Sequence, residues 1–359
     1  MLNKVINPLK KKYAMVESDK RYEFITGDCL SEMKNMEDRS VNCIITSPPY
    51  WAMRKYDNAE NEKEIGNETD YRDYVKALAE IFDEAKRILT DDGSLWLNLG
   101  DKYNNKALMG MPWRVALSLM DNGWILRNDV IWNQMKGTQS CKDRLRDMYE
   151  HFFHFVKSRK YYYNADEIKV LPTLKPKKVN GQMISATGVS GKKYRKMIVE
   201  STELTEQEKE NALKALDDTL LKIQQGEIND FRMTIRGVQR AWHSEDTEIS
   251  GRAKELRDKG FYIMKMGASG FLPGDIWNIV PEDTWRKDSH CAVFPEELLR
   301  IPILATCPEN GVVLDPFSGT GSTVSAALRL GRRGIGIDLS EEYNAIANNR
   351  VKQFANTLF

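Results

Sequence analysis

The chain lacks any run of about 18 consecutive apolar residues, the length a helix needs to cross a bilayer, so no membrane span is expected. Its first twenty residues, MLNKVINPLKKKYAMVESDK, carry lysines but no apolar core behind them. That argues against a secretory signal and makes the cytoplasm the expected compartment. Cysteine is scarce. Cys29, Cys43, Cys141, Cys291 and Cys307 are far apart, odd in number and form no Cys-x-x-Cys pair. Neither a disulfide framework nor a metal site is expected, and reduced thiols packed as small apolar side chains are. Charge of one sign is lacking as well: 53 Lys and Arg against 52 Asp and Glu leave a net charge of +1. A nucleic-acid partner would therefore be met by a local patch and not by the field of the whole molecule. No internal repeat is visible.

The remaining composition, 41% hydrophobic and 29% charged over 359 residues, is that of a globular protein with one large domain and a smaller one. Short apolar runs alternate with helical patterns, which predicts an α/β fold, a doubly wound, mostly parallel sheet with crossover helices. Strands are expected at Tyr22–Thr26, Val41–Ile45, Ser94–Leu99, Trp124–Trp132 and His151–Lys157. A helix is expected over Tyr71–Leu89, where Tyr74, Val75, Leu78, Ile81, Phe82, Ala85 and Ile88 share one face. The last quarter again alternates helix and strand, with helix Pro295–Thr306, strand Val312–Asp315, helix Gly319–Leu330, strand Arg333–Asp338 and a final helix from about Ser340.

Between these stretches the pattern changes. Residues 171–198 hold seven Lys or Arg and no acid, with Gly, Pro and Ser among them, and read as a basic loop. A nucleic-acid contact and a solvated linker are equally compatible with that charge. Thr205-Glu206-Gln207-Glu208 is a capping box that should start a helix carrying Leu213, Leu216, Leu220 and Ile223. Further on, Arg232, Arg236 and Arg240 fall four residues apart. If helical, they share a face that suits a phosphate backbone, although a solvated charged face has the same spacing. The expected division is 1–165, 166–270 and 271–359.

Two stretches carry chemistry. In 312–338, VVLDPFSGTGSTVSAALRLGRRGIGID, a strand runs through a glycine turn into a helix, and a second strand closes on an acid, Asp338. This is a nucleotide-binding layout. The turn is not Gly-x-Gly-x-x-Gly, and Asp315 just before it would repel a pyrophosphate but attract an ammonium. S-adenosylmethionine fits both acids: Asp338 would accept from ribose hydroxyls, and Asp315, Phe317, Ser318, Gly319, Thr320, Gly321 and Ser322 would line the turn. Asp28, at the end of the first strand, could reach the adenine amine. The second stretch is Thr46-Ser47-Pro48-Pro49-Tyr50-Trp51, which halts the buried strand Val41–Ile45 with a hydroxyl, two rigid residues and two aromatics.

Taken together, Ser47-Pro48-Pro49-Tyr50 first, then HCAVFPEELL (His290–Leu299) and Asp315–Ser322, resemble the DNA amino-methyltransferases of the β order, most closely the N4-cytosine enzymes of restriction-modification systems. The motifs cover about 1–165 and 270–359. The resemblance implies a circularly permuted methyltransferase fold with an inserted target-recognition region, double-stranded DNA as partner, base flipping, a possible cognate restriction endonuclease, and a monomer or homodimer associated with the nucleoid through DNA. It implies that the Ser47 hydroxyl and the Pro48 carbonyl accept from the target amine while Tyr50 stacks on the flipped base. The prolines hold the acceptors at low entropic cost. Direct transfer from sulfur to nitrogen is expected, with the amine proton going to solvent. Trp51 either lines the pocket or packs beneath the motif. Lys142 and Arg144 lie where the family often carries Asp-Arg-Pro and then His-Glu, and this chain has Asp143-Arg144-Leu145 and Tyr149-Glu150; with Arg232, Arg236 and Arg240 they are candidate DNA contacts. His151 and His154 read as structural, His243 as a possible DNA contact and His290 as a neighbour of the cofactor. The family's adenine enzymes usually have Asp or Asn in place of Ser47, so an N6-adenine enzyme is the alternative. An RNA or glutamine methyltransferase and a non-catalytic DNA-binding module are the more distant readings.

Overall fold

A computed structural model describes residues 21–52, 64–135, 141–238, 251–281 and 295–355. The chain divides into two compact units: the described residues of Met1–Ile168 with those of Gly274–Phe359, and Lys169–Pro273, where 166–270 was expected. Among the described residues no helix is long and apolar enough to cross a membrane.

The first unit contains β1 (Tyr22–Thr26), α1 (Cys29–Lys34), β2 (Val41–Thr46), α2 (Tyr71–Ile88), β3 (Leu89–Leu99), a small hairpin of β4 (Tyr103–Asn104) and β5 (Ala107–Leu108), α3 (Met111–Asp121), β6 (Ile125–Asn133) and β7 (Tyr149–Val156). The second holds β8 (Lys177–Val179), β9 (Gln182–Ile184), α4 (Lys192–Val199), α5 (Glu206–Gln224), β10 (Ile228–Ile235), α6 (Gly251–Lys259) and β11 (Phe261–Gly267). The chain then returns to the first unit with β12 (Ile276–Asn278), α7 (Glu296–Thr306), β13 (Val312–Asp315), α8 (Ser322–Arg329), β14 (Arg333–Asp338) and α9 (Glu341–Ala355).

In the first unit eight strands form one sheet in the order β1-β14-β13-β2-β3-β7-β6-β12. β7 alone runs against its neighbours; the other pairings are parallel. Apolar side chains leave both faces of the central strands. Val312 and Leu314 of β13 join one core, with Ile44 of β2, while Val313, Cys43 and Ile45 join the other. Helix α2 covers the first face because Tyr74, Leu78, Ile81, Phe82, Ala85 and Ile88 recur at helical spacing, and Asp70 caps its start by accepting from the Arg72 N–H. Helix α7 covers the second face with Leu298, Leu299 and Ile303. From β13 the chain winds one way, to β14; from β2 it winds the other, to β3. The strand order therefore reverses between β13 and β2, and a ligand crevice belongs at their carboxyl ends. These two strands come from opposite ends of the chain, as a permuted methyltransferase sheet requires.

The second unit has its own core of Ile198, Leu204, Ala212, Leu216, Ile223, Ile228, Phe231, Met233, Ile235 and Phe261. The capping box forms: Thr205 Oγ1 accepts from the Glu208 N–H, and the Glu208 carboxylate from the Thr205 N–H. Two expectations are corrected here. Residues 171–198 are not all loop. They contain the β8–β9 hairpin, which turns at Asn180-Gly181 with positive φ at both, and helix α4. Arg232 and Arg236 are not on a helix either. Phe231, Met233 and Ile235 alternate with outward-facing residues, the period-2 signature of a strand, and β10 pairs antiparallel with β11. Arg232 is exposed on that strand. Arg236 is committed to the protein: its Nη2 donates to the Glu208 carboxylate at 2.8 Å and to the Glu203 carbonyl, and its Nη1 to the Arg257 carbonyl. Arg240 and His243 lie outside the described residues, as do His290 and Cys291.

Because Arg236 ties α5 to the strand, Arg236→Ala should destabilise the second unit by about 1.5–3 kcal/mol, the worth of a charged hydrogen bond. The change should appear in denaturant melts as a lower midpoint, while the salt slope of DNA binding stays that of the parent protein.

Candidate active site

Strand β2 ends in Thr46, which is fully buried, and delivers Ser47-Pro48-Pro49-Tyr50 to the carboxyl edge of the sheet at the switch point. Neither proline can pair as a strand residue, so the chain turns out of the sheet there. The corner is pinned from several sides. Tyr74 Oη of α2 donates to the Pro49 carbonyl at 3.0 Å, whereas no described group donates to the Pro48 carbonyl. Trp51 is buried, its Nε1 donates to the Glu68 carbonyl at 2.8 Å, and its ring meets Tyr71 edge-on. Of its two expected roles, Trp51 takes packing beneath the motif.

The Tyr50 ring lies against Gly100, just past the end of β3. A Cβ built on Gly100 would stand 2.6 Å from Tyr50 Cε2, closer than any side chain allows. The Tyr50 hydroxyl donates to Glu150 Oε2 at 2.6 Å, with Asn98 Oδ1 at 3.1 Å beside it. It accepts from Ser47 Oγ at 3.2 Å. Glu150 Oε1 accepts from Gln134 Nε2 at 2.8 Å, and Asn98 Nδ2 is held by the His151 carbonyl. Burial pushes the Glu150 carboxyl above the usual carboxylate range, and burial beside Glu150 drives the Tyr50 phenol well above its own. Asn98, Gly100 and Gln134 escaped the motif reading because they sit at the ends of β3 and β6, whereas Glu150, on β7, was legible only as part of the Tyr149-Glu150 that replaces the family's His-Glu. Glu150 reaches the carboxyl edge because β7 is antiparallel and therefore presents its beginning there.

The second cluster surrounds the turn after β13. Asp315 is only 2% exposed. Its Oδ1 accepts from Thr46 Oγ1 at 2.7 Å and from the Phe317 N–H, and its Oδ2 from Thr323 Oγ1 at 2.6 Å. Burial raises its carboxyl to about 6 in spite of these donors. With both oxygens engaged, Asp315 braces the turn from beneath. Asp338, half-buried at the end of β14, accepts from the Gly319 N–H and the Ser340 N–H, each at 2.8 Å. Gly321 has φ 76°, and a Cβ there would stand 2.8 Å from Ala347 Cβ. The buried Ser318 hydroxyl has no partner among the described residues. The Ser322 hydroxyl is buried and accepts from Arg350, so Ser322 can offer a ligand only its backbone at the start of α8. Asp28 caps α1 through Oδ1, which accepts from the Ser31 N–H and hydroxyl. Two acids at neighbouring strand ends, a buried hydroxyl with no described partner and a turn opened by Gly319 and Gly321 offer the acceptors and backbone N–H groups that a polar nucleoside with hydroxyl and amine donors would need. Among the described residues no cluster could hold a metal ion.

The other candidates are placed elsewhere on the surface or in the core. Lys142 is exposed. Arg144 stacks on Tyr103 at 3.8 Å and pairs with Asp147 at 3.1 Å. His154 is buried, stacked on Trp96 at 4.3 Å, and burial lowers it to about 3, so it stays neutral and structural. His151 Nδ1 lies 2.9 Å from Asp129 Oδ1.

A family described as DNA methylase, of the N6 and N4 methyltransferases, matches residues 41–349. The chain is similar to the type II methyltransferase M.SfiI of Streptomyces fimbriatus, 30% identical over 90% of this chain and 89% of that one. It is also similar to the type II methyltransferase M.SmaI of Serratia marcescens, 28% identical over 92% and 90%. Its fold resembles that of the PvuII DNA methyltransferase (cytosine-N4-specific), with a TM-score of 0.54, 15% identity, and 94% and 92% of the two chains covered.

A Gly100→Ala substitution should displace the Tyr50 ring and lower methyl transfer by about tenfold or more, since small misplacements at a reacting centre carry that scale of cost. The melting temperature should fall only modestly, because a single ring at the strand end has to shift. Single-turnover transfer of labelled methyl to DNA, read beside a thermal melt, checks both.

Proposed function

Because the chain belongs to the N6/N4 DNA methylase family, we propose that it methylates the N4 amine of a cytosine swung out of duplex DNA. The coarser activity, DNA amino-methylation with S-adenosylmethionine as methyl donor, follows from the family itself. The donor supplies an electrophilic methyl carbon on a positively charged sulfur. The residues fit it: Asp28 and Asp338 offer acceptors for the adenine amine and the ribose hydroxyls, and Phe317–Ser322 form the turn around it, with Asp315 as the brace.

The observation that carries the cytosine assignment is the hydroxyl of Ser47 at the head of the Pro-Pro-Tyr corner. An exocyclic amine is a weak nucleophile because its lone pair is conjugated with the ring. Two acceptors aimed at its hydrogens draw that lone pair out of conjugation. The Ser47 hydroxyl and the Pro48 carbonyl are such a pair, held by two prolines whose φ angles are set in advance. Fixed acceptors need no reorganisation during transfer, which is where most of the rate gain in such a site arises. A base in a duplex is out of reach, so it must leave the stack, and the Tyr50 ring offers it a surface. Lys142 and the exposed Arg232 remain candidates for phosphate contact; a cognate endonuclease is the partner that type II relatives suggest.

Methylating unmodified DNA with the purified protein, digesting it to nucleosides and identifying the product by mass spectrometry tests the assignment. N4-methylcytosine is expected; N6-methyladenine would overturn the choice of base and leave the fold and cofactor untouched. For the cofactor, Asp338→Ala should weaken S-adenosylmethionine binding by about tenfold to a hundredfold in calorimetry, the equivalent of one charge-assisted hydrogen bond. Unchanged affinity would remove Asp338 from the site.

A further inference from the structure

The corner holds a carboxylate that acceptor chemistry alone does not use. Glu150 has its two oxygens divided between Gln134 Nε2 and Tyr50 Oη. The donors all run one way: Ser47 Oγ–H to Tyr50 Oη, then Tyr50 Oη–H to Glu150 Oε2. An ionised carboxylate only accepts. The Tyr50 proton is therefore committed to Glu150 and the Ser47 proton to Tyr50. What remains at the open end of the chain is the Ser47 oxygen with its lone pairs, the atom proposed to meet the target amine. Serine by itself is far too weak a base to keep a proton, but this serine is wired to a carboxylate.

We propose that Glu150 is the terminal acceptor of the amine proton, reached through Ser47 and Tyr50. This rests on the reading of the corner as an amine-methylating site, and it holds for either base. The N–CH3 bond forms as the S–CH3 bond breaks, with its electron pair left on sulfur. The amine proton passes to Ser47 Oγ, the Ser47 proton to Tyr50 Oη, and the Tyr50 proton to Glu150 Oε2. The sulfonium loses its positive charge as Glu150 loses its negative one, so no net charge is created in the site. Solvent then takes the proton from Glu150 between turnovers. Burial supports the role, because a carboxylate lifted above its ordinary range is a better base near neutral pH.

The test compares the parent protein with Glu150→Gln, which keeps the size of the side chain and an oxygen for Tyr50, and with Tyr50→Phe. Single-turnover transfer of labelled methyl from saturating cofactor to unmodified plasmid DNA is followed against pH. In the parent, the rate should rise with pH as Glu150 ionises. Glu150→Gln should lose about a hundredfold or more, the range of general-base catalysis, and lose that rising limb. Its DNA and cofactor affinities should be unchanged. Tyr50→Phe should lose the limb too, and the double variant should be no slower than the slower single one, because the residues act as a unit. Infrared difference spectra of the cofactor-free protein should show, beside the raised Asp315 carboxyl, a further carboxyl titrating above the ordinary glutamate range that is absent from Glu150→Gln. A Glu150→Gln rate within about threefold of the parent with the limb retained would overturn the proposal, as would losses that multiply in the double variant. Should Glu150→Gln fail to fold, Tyr50→Phe alone decides: a retained limb at the parental rate refutes the relay. The nucleoside product of the parent protein, measured in parallel, judges the choice of base separately.

Discussion

The carboxylate of Asp315 accepts the hydroxyl proton of Thr46 across 269 residues of sequence, and both groups are sealed from water at the point where the strand order reverses. Thr46 ends β2, which leads into the Ser-Pro-Pro-Tyr corner. Asp315 ends β13, which leads into the glycine turn. One hydrogen bond therefore sets the corner and the turn beside each other, and the second Asp315 oxygen holds Thr323 at the start of α8. A buried carboxylate without donors would be costly. Here the Phe317 N–H and two threonine hydroxyls satisfy it, and the turn is fixed in the process. Methyl transfer demands that donor carbon and acceptor nitrogen be aligned within a fraction of an ångström. A brace between the two strand ends proposed to carry them is a direct way to achieve that.

The corner itself is rigid for reasons that accumulate. Two prolines limit the backbone, Tyr74 anchors the Pro49 carbonyl, and Trp51 is locked beneath by the Glu68 carbonyl. Tyr50 is then set by the absence of a side chain at Gly100 and by three polar neighbours from three strands. Apart from Glu68, in the connection that leads into α2, these supports come from the ends of regular elements.

The second unit shows how charge can mislead. Three arginines at a spacing of four look like a helical face, yet the residues around Arg232 alternate, and alternation wins because Phe231, Met233 and Ile235 have a core to fill. Arg236, four residues from the exposed Arg232, spends its donors on Glu208 and on backbone carbonyls. Its job is to hold a helix to a strand. The Asn180-Gly181 hairpin inside the basic stretch was likewise legible in principle, since that dipeptide adopts the turn paired strands need.

Much of the first unit was readable from local pattern. Strands β1, β2, β13 and β14, helices α2 and α7 and the two motif clusters, like the capping box of the second unit, follow from periodicity, glycine and proline placement, and rigid turn chemistry, all of which act within a few residues. What the tertiary structure decided was partnership. Asp315 could be recognised as an acid before a turn, but only strand pairing shows that it faces Thr46 and Thr323. Glu150 stood in the sequence a hundred residues from Tyr50, with nothing local to link them. An antiparallel β7 turns its first residues toward the carboxyl edge of its parallel neighbours. Strand direction is a property of the assembled sheet, because it depends on which hydrogen-bonding edge each strand finds, and no single stretch of sequence contains it.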